Sequence, residues 1–151
     1  MSLSQQDFDE ARGPRRKLRV LFVCIGNSCR SPMAEAIALR DASHLFDVSS
    51  AGLRPLGVVQ QETLHTIERN GYPVDGLSSK GISDEVWHSA DLVVNMSGLS
   101  RERNFPRADW HKVEDWDVYD PYGCEPDVYQ STLEDVRSRI ELLIARYSSI
   151  E

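Results

Sequence analysis

A short, mostly apolar run that ends in a cysteine-containing loop constrains this chain more than any other feature. Residues 18–23 read LRVLFV, and the loop that follows at 24–30 reads CIGNSCR. Such a run is typical of a strand that is buried on both faces in a parallel sheet. Ser31-Pro32 then opens a segment with helical spacing, since proline is tolerated in the first turn of a helix. The stretch therefore predicts a strand, a tight loop and a helix in immediate succession.

The rest of the chain continues this alternation. The pattern predicts further strands at 46–49, 91–96 and around Val113, and helices at 31–43, 60–70, 83–88 and 127–147. In the 60–70 helix, Leu64 and Ile67 are expected to face inward, with Gly71 as the C-terminal cap. Four strands that alternate with helices predict a three-layer α/β/α fold with a central parallel sheet, in which ligands bind at the carboxyl ends of the strands.

Length and composition favour one globular domain. The chain has 151 residues, of which 40% are hydrophobic and 27% charged, and this suits a single core. Residues 1–16 lack a hydrophobic period and predict a flexible tail, with one domain over 17–151. Three cysteines without a disulfide-framework spacing, and no signal-peptide pattern or apolar span of about 20 residues, predict a cytoplasmic protein. A net charge of -7 argues against nucleic acid or a membrane as partner.

The 24–30 loop has the features of an anion site. A strand-to-helix turn directs backbone N–H groups and the positive end of a helix at one position. Gly26 allows close backbone approach and Asn27 tolerates the left-handed conformation that such a loop needs. Arg30 adds a planar, charged group that matches two oxygens of a phosphate. A thiol in such a field ionises readily, so Cys24 is predicted to be a nucleophile toward phosphorus.

Other interpretations of this loop fit the residues less well. A Walker nucleotide loop needs a Gly-Lys-Ser/Thr run, and a dinucleotide fingerprint needs three spaced glycines. A zinc site that used Cys24 and Cys29 has no second ligand pair at suitable spacing. The four histidines carry no local signature of a Cys-His pair. An inert buried thiol is the remaining structural alternative for Cys24.

The stretch VLFVCIGNSCRSPMAEA resembles the signature of the low-molecular-weight protein tyrosine phosphatases, Cys-x5-Arg-Ser at the end of the first strand. The similarity extends over residues 18–147: SSAGL from Ser49 resembles the family's segment after its second strand, and DPYG from Asp120 its acid loop. The resemblance implies the family's fold and hydrolysis of phosphotyrosine on a protein substrate through a cysteinyl-phosphate, without metal or organic cofactor. It also implies that inorganic phosphate or similar oxyanions bind in the loop.

The same resemblance assigns the principal roles in the reaction. Cys24 matches the nucleophile, Arg30 the phosphate clamp and Asp120 the general acid. A proton from Asp120 lets the departing oxygen leave as a neutral alcohol. Pro121 restricts Asp120 to an extended conformation. The residues expected to surround the phosphate and the ring are Ile25, Gly26, Asn27, Ser28, Cys29, Ser31 and Tyr122.

Supporting roles follow from the resemblance in the same way. Ser31 matches a hydroxyl that donates to the thiolate, and Asn27 with Ser50 matches the network that keeps the loop in shape. Tyr122 matches an aromatic wall for the substrate ring. Cys29 matches a second loop cysteine that forms a reversible disulfide with Cys24 and shields it from over-oxidation; its alternative role is a small residue packed behind the loop.

Three rival functions differ from this reading at specific positions. Thioredoxin-coupled arsenate reductases share the scaffold but need further cysteines in a mobile segment, where this chain has none; only Cys124 could serve, although Ser78-Ser79-Lys80 resembles the reductase side. Arginine phosphatases carry threonine after the nucleophile, where Ile25 stands here. A non-catalytic phosphopeptide-binding module would lack the nucleophile, the arginine or the acid, and all three are present.

Overall fold

The computed structural model describes residues 16–148, which form a parallel sheet of four strands with helices on both faces. The strands are β1 (Leu18–Cys24), β2 (Phe46–Gly52), β3 (Leu92–Asn95) and β4 (Val113–Asp115). The helices are α1 (Arg30–Asp41), α2 (Gln61–Arg69), α3 (Asp84–Ser89), α4 (Arg101–Asn104) and α5 (Pro126–Ser148), with a 3-10 helix at Arg107–Lys112. The predicted three-layer α/β/α fold is confirmed. Of the predicted N-terminal tail, only Arg16 lies within the described residues.

The strand order β2-β1-β3-β4 places β1 in the interior of the sheet. Cys24 at the end of β1 lies opposite Gly52 of β2, and Val23 lies opposite Asn95 of β3. Three strands therefore end at the edge from which the 24–30 loop emerges. This is the edge at which parallel α/β sheets bind ligands.

Alternate residues of β1 enter two separate cores. Val20 and Phe22 face the larger core, which contains the buried faces of α1 and α5, and Phe22 packs on Trp116 with 5.9 Å between ring centroids. Leu21 and Val23 face a smaller core on the other side of the sheet. Because β1 is buried on both faces, its apolar run has no alternation, as the sequence predicted.

The interior face of α2 differs in part from the prediction. Ile67 is fully buried, but Leu64 is only half-buried, and Thr63 and Thr66 are buried beside Ile67. Gly71 ends the helix with a φ of 86°. Its N–H donates to the carbonyl oxygen of residue 68 and the next N–H donates to that of Ile67, the Schellman pattern that favours glycine.

Two short elements before β4 were not predicted. Helix α4 has four residues and the 3-10 helix has six, and neither is long enough to show a helical period. Phe105, which lies between them, stacks on Trp87 of α3 with 5.3 Å between centroids. This segment therefore covers the second face of the sheet and completes the smaller core.

An ion pair joins Arg16, the first described residue, to Asp91, which directly precedes β3. The Arg16 guanidinium donates to both carboxylate oxygens of Asp91 at 2.8 and 3.0 Å, and the Arg19 N–H donates to Asp91 at 2.8 Å. The hydrogen bonds from Arg16 lower the pKa of Asp91 from its ordinary value of 3.8. The stabilisation is therefore present above about pH 4 and is lost as the pH falls through the lower pKa of the folded state.

Replacement of Asp91 by asparagine is expected to lower the free energy of unfolding at pH 7 by about 1 kcal/mol. Below the pKa of the folded carboxyl group, wild type and variant should converge, because Asp91 is then uncharged in both states. Urea titrations at both pH values measure the difference. Asp75→Asn is the matched control, since Asp75 is exposed and has no hydrogen bond or ion pair with residues 16–148. An equal loss at both pH values would contradict the assignment.

Candidate active site

The 24–30 loop turns the chain from β1 into α1 around two conformational requirements. Asn27 has a φ of 50°, and among residues 16–148 it is the single non-glycine residue with a positive φ. Asparagine tolerates this region better than most residues. Arg30 is the first residue of α1 and is buried. The helix therefore begins with its positive end at the loop.

Cys24 lies at the base of this loop and is 2% exposed. Its Sγ lies 2.9 Å from the Ser31 Oγ and 3.5 Å from the Ser31 backbone nitrogen. Two donors from the first turn of α1 therefore approach the sulfur. Both groups can donate a hydrogen bond to the Cys24 sulfur.

Asn27 connects the loop to β2 and to the 78–80 segment. Its Nδ2 donates to the Ser31 Oγ at 2.7 Å and to the Ser50 Oγ at 3.0 Å. Its Oδ1 accepts from the backbone N–H of Lys80 at 2.9 Å. Ser50 in turn donates to the Glu35 carboxylate. The structure thus brings together Asn27, Ser50 and Ser31, and it adds Glu35 and Lys80, which sequence reasoning missed.

The 78–80 segment supports the loop from outside. The Ser79 Oγ donates to the Gly26 carbonyl at 2.8 Å and accepts from the Gly57 N–H at 2.9 Å. The Lys80 Nζ donates to the Ser78 carbonyl at 3.0 Å and lies 3.9 Å from the Glu35 carboxylate. The only sequence signal for this support was the Ser-Ser-Lys resemblance, which indicated a different function. The segment holds the backbone of the 24–30 loop in place.

Gly52, opposite Cys24 in the sheet register, permits the close approach of the loop to β2. A Cβ atom at this position would lie 2.7 Å from the Ile25 carbonyl oxygen and 2.8 Å from the Asn27 nitrogen. Both are backbone atoms of the 24–30 loop. Any side chain at residue 52 therefore has to displace the loop.

Gly52→Ala is expected to destabilise the fold by about 1–3 kcal/mol, the usual range for overpacking. Inorganic phosphate is expected to raise the melting temperature of the wild type, and Gly52→Ala should reduce this increase, because displacement of the loop moves its N–H groups. Thermal unfolding with and without phosphate measures both effects. Gly81→Ala is the control, because its Cβ would be 3.4 Å from Pro55, an ordinary contact. A Gly52 variant with wild-type phosphate response would contradict this account.

Arg30 is held by groups from two segments of the chain, at Met96 and at residues 118–120. Its Nη1 donates to the Met96 carbonyl and, at 3.3 Å, to the Val118 carbonyl. Its Nη2 lies 3.4 Å from the Asp120 carboxylate. Its Nε is buried and has no hydrogen-bond partner among residues 16–148. A buried donor on an always-charged group requires an acceptor, and an oxyanion in the loop would supply one.

Asp120 approaches the site from the 120–123 loop. Its side chain is 47% exposed, and its second carboxylate oxygen accepts from the Tyr122 N–H at 3.2 Å. One oxygen thus positions the turn and the other faces Arg30. The structure therefore places the predicted acid, clamp and nucleophile around one cavity.

The cavity has a volume of about 300 Å3. Its walls are formed by Cys24, Ile25, Gly26, Ser28, Cys29, Arg30, Arg54, Leu56, Asp120 and Tyr122. Cys24 and Arg30 are buried and form its inner part, whereas Leu56 and Tyr122 are about half-exposed and form its mouth. Asn27, Ser31 and Ser50 lie behind the wall. Arg54 and Leu56 had not been predicted, because the segment after β2 carries no motif.

Cys29 is buried behind the loop against α5. Its Sγ lies 3.9 Å from the Ser28 Oγ and 3.8 Å from the Tyr129 hydroxyl. Burial raises the pKa of the Cys29 thiol, and burial also raises the pKa of Tyr129. A protonated thiol reacts slowly in exchange chemistry. The geometry fits the packing role well, and the redox role of Cys29 stays a prediction.

Over residues 16–148, no three or more histidine, cysteine, aspartate or glutamate side chains cluster in a way that could hold a metal ion. Within that same range, no helix has both the length and the apolar character needed to cross a membrane.

Comparison with known proteins then decides the family. A family model described as low molecular weight phosphotyrosine protein phosphatase matches residues 19–149. The chain belongs to this family. The resemblance predicted over residues 18–147 is thereby confirmed.

Relatives in the low molecular weight phosphatase family carry several activities in their names. A protein-arginine-phosphatase of Bacillus subtilis is 30% identical over 141 residues, which cover 82% of this chain and 93% of the relative. The solved structure of a low molecular weight protein tyrosine phosphatase from T. tengcongensis is 31% identical in sequence, with a TM-score of 0.75. The match covers 86% of this chain and 99% of that one. An arsenate reductase solved in its phosphate binding state is 31% identical with a TM-score of 0.77, covering 86% and 98%. Membership therefore establishes cysteine-dependent phosphatase or reductase chemistry, and the substrate is a separate question.

Proposed function

We propose that this protein hydrolyses phosphotyrosine and related aryl phosphate esters on a protein substrate through a cysteinyl-phosphate. The observation that carries the proposal is the cavity itself. Its inner part has the Cys24 sulfur and an unpartnered Arg30 donor, and its mouth has apolar side chains. The Cys24 sulfur and the Arg30 donor suit a phosphoryl group, and the apolar side chains at the mouth suit an aromatic ring. Because the nucleophile must stay a free thiol, we also propose a reducing, cytoplasmic setting.

The mouth of the cavity supports an aryl ester over a smaller or more polar group. Ile25 follows the nucleophile, and Leu56 and Tyr122 are 48% and 55% exposed on the cavity wall. These three side chains offer an apolar slot, in which a phenyl ring contacts Tyr122 by offset or edge-on packing. The charged guanidinium of phosphoarginine gains less from such surroundings.

The first step transfers the phosphoryl group to sulfur. The Cys24 thiolate attacks phosphorus, an S–P bond forms, and the P–O bond to the tyrosine ring breaks. Asp120 gives its proton to the phenolic oxygen, so tyrosine leaves neutral. Arg30 and the loop N–H groups stabilise the charge that spreads over the three equatorial oxygens. The Nε of Arg30 thereby acquires an acceptor.

The second step restores the enzyme. Asp120, now a carboxylate, takes a proton from water as the water oxygen attacks phosphorus. The S–P bond breaks, inorganic phosphate is released and the thiolate returns. The Ser31 hydroxyl, 2.9 Å from the sulfur, stabilises the departing thiolate.

The testing experiment compares four substrates with the reduced wild-type protein in EDTA. These are an aryl phosphate, a phosphotyrosine peptide, the same peptide with phosphoarginine, and arsenate with a thioredoxin or glutaredoxin system. We expect phosphate release from the first two, with a higher kcat/KM for phosphotyrosine than for phosphoarginine. Preference for phosphoarginine, or turnover of arsenate alone, would overturn the proposal.

Arsenate reduction is the second candidate, and the 31% identical arsenate reductase favours it. Reduction of arsenate to arsenite takes two electrons, which two thiols supply when they form a disulfide. Besides Cys24, the chain has the buried Cys29 and the half-buried Cys124, whose N–H donates to the Pro121 carbonyl at 2.8 Å. The assay with arsenate distinguishes this candidate from the phosphatase. If the protein is an arsenate reductase, arsenite will form in that assay, and Cys29→Ser or Cys124→Ser will stop its formation.

A further inference from the structure

The cavity wall includes a cation that the proposed chemistry does not use. Arg54 follows β2, and its backbone N–H donates to the Ile25 carbonyl at 2.8 Å. Two residues later, the Leu56 N–H donates to the Gly26 carbonyl at 2.9 Å. These bonds tie the segment to the 24–30 loop. The backbone at Arg54 is therefore fixed against the 24–30 loop, and its side chain lines the cavity.

The guanidinium of Arg54 has no partner within the described part of the chain. The side chain is exposed, and it has no hydrogen bond, ion pair or aromatic contact with residues 16–148. Several other surface arginines pair with carboxylates, as Arg139 does with Asp135 at 2.9 Å and Arg69 with Glu62 at 3.4 Å. With 24 acidic against 17 basic residues, the protein has an excess of carboxylates. An uncompensated arginine at the mouth of the cavity is therefore placed to meet an anion from outside.

We propose that Arg54 recognises the carboxylate of an acidic residue beside the phosphorylated residue of a protein substrate. This inference rests on the proposed function and names a substrate class within it: phosphopeptides with an adjacent aspartate or glutamate. Ile25, Leu56 and Tyr122 already surround the position of the ring, so Arg54 at the rim faces the neighbouring residues of the peptide. A guanidinium binds a carboxylate with two parallel hydrogen bonds and stays charged at every physiological pH.

The acidic character of the protein gives a local cation at the rim a physical role. A net charge of -7 repels an acidic peptide as a whole. A local cation at the rim offsets part of this repulsion where the peptide enters. Because the pair is partly exposed, its effect is modest and salt-dependent: we expect a preference of about fivefold to tenfold in kcat/KM.

The experiment uses pairs of phosphotyrosine peptides whose two members are identical except for glutamate or alanine beside the phosphotyrosine. One pair varies the residue before the phosphotyrosine, and the other pair varies the residue after it. The ratio of the kcat/KM values within each pair is measured for wild type, Arg54→Gln and Arg54→Lys. Arg103→Gln is the matched control, because Arg103 is exposed, lies outside the cavity wall and carries the same charge. We expect the ratio to fall to about one in Arg54→Gln and to persist in Arg103→Gln. Arg54→Lys should keep part of it.

Two results would overturn the role of Arg54. One is a wild-type ratio of one. The other is an equal loss for both peptides in Arg54→Gln, which would mean that Arg54 contacts the phosphoryl group instead. Failure of the proposed function has a different signature, namely no hydrolysis of an aryl phosphate by wild type. In that case, dissociation constants of the same two peptides for the Cys24→Ser protein give the ratio without turnover.

Discussion

The Cys24→Ser variant is expected to lose hydrolysis of aryl phosphates by at least about 10⁴-fold while it remains folded. A serine hydroxyl in place of the thiol is almost un-ionised, and it is a much poorer leaving group in the second step. The exchange is nearly isosteric, and the Ser31 hydroxyl at 2.9 Å can still pair with the new oxygen. Phosphate release in EDTA, with thermal unfolding in parallel, measures activity and fold together.

Cys124→Ser is the matched control for this prediction. It removes a thiol from the 120–124 region without touching the cavity wall. Aryl phosphate hydrolysis should persist in it, and inorganic phosphate should raise the melting temperature of both serine variants, because the 24–30 loop is intact. Retention of substantial turnover by Cys24→Ser would show that another group carries the phosphoryl transfer.

The part of the site that lies in one continuous stretch could be predicted from the sequence. Cys24, Gly26, Asn27 and Arg30 share a strand-loop-helix unit, whose local chemistry predicts an anion-binding turn. The apolar run of β1 likewise specified a strand in the interior of a parallel sheet. Such features depend on neighbours in sequence, so short-range patterns contain them.

The parts of the site that come from distant segments could not be predicted in the same way. Lys80 reaches Asn27 across 53 residues, and Arg30 donates to carbonyl groups of Met96 and Val118, 66 and 88 residues away. Backbone acceptors have no sequence signature at all. Arg54 lies at the cavity because backbone hydrogen bonds join its segment to the 24–30 loop. The residues next to it in sequence contain no pattern that predicts this position.

Helix α2 shows why a correct helix prediction can misplace its interior face. The pattern favoured Leu64 because it is apolar, yet Thr63 is buried and Leu64 is half-exposed. The Thr63 hydroxyl donates to the Ser28 carbonyl at 2.8 Å. A polar side chain is buried there because it satisfies a backbone acceptor of the 24–30 loop. The functional loop therefore overrides hydrophobic periodicity in the helix that supports it.

The Arg30→Lys variant is expected to lose about 10³-fold in kcat/KM for an aryl phosphate, although its charge is unchanged. Arginine has two nitrogens engaged, one by the Met96 and Val118 carbonyls and one by Asp120, and still keeps Nε for the substrate. A single ammonium group cannot bind the carbonyls, approach Asp120 and donate to phosphate together. Loss of one preorganised donor to transition-state charge costs about 10²–10³ in rate, and loss of an arginine clamp about 10³–10⁵.

A structural effect of Arg30→Lys would have to be separated from the loss of the clamp. The variant leaves buried carbonyls with fewer donors, so its free energy of unfolding should also fall by about 1–3 kcal/mol. Inorganic phosphate provides the distinction: it should raise the melting temperature of wild type and of Arg40→Lys, a change in the same helix outside the cavity wall, but not that of Arg30→Lys. If phosphate stabilised Arg30→Lys as much as wild type, charge alone would be holding the anion. The paired donors of the guanidinium would then have no part in the site.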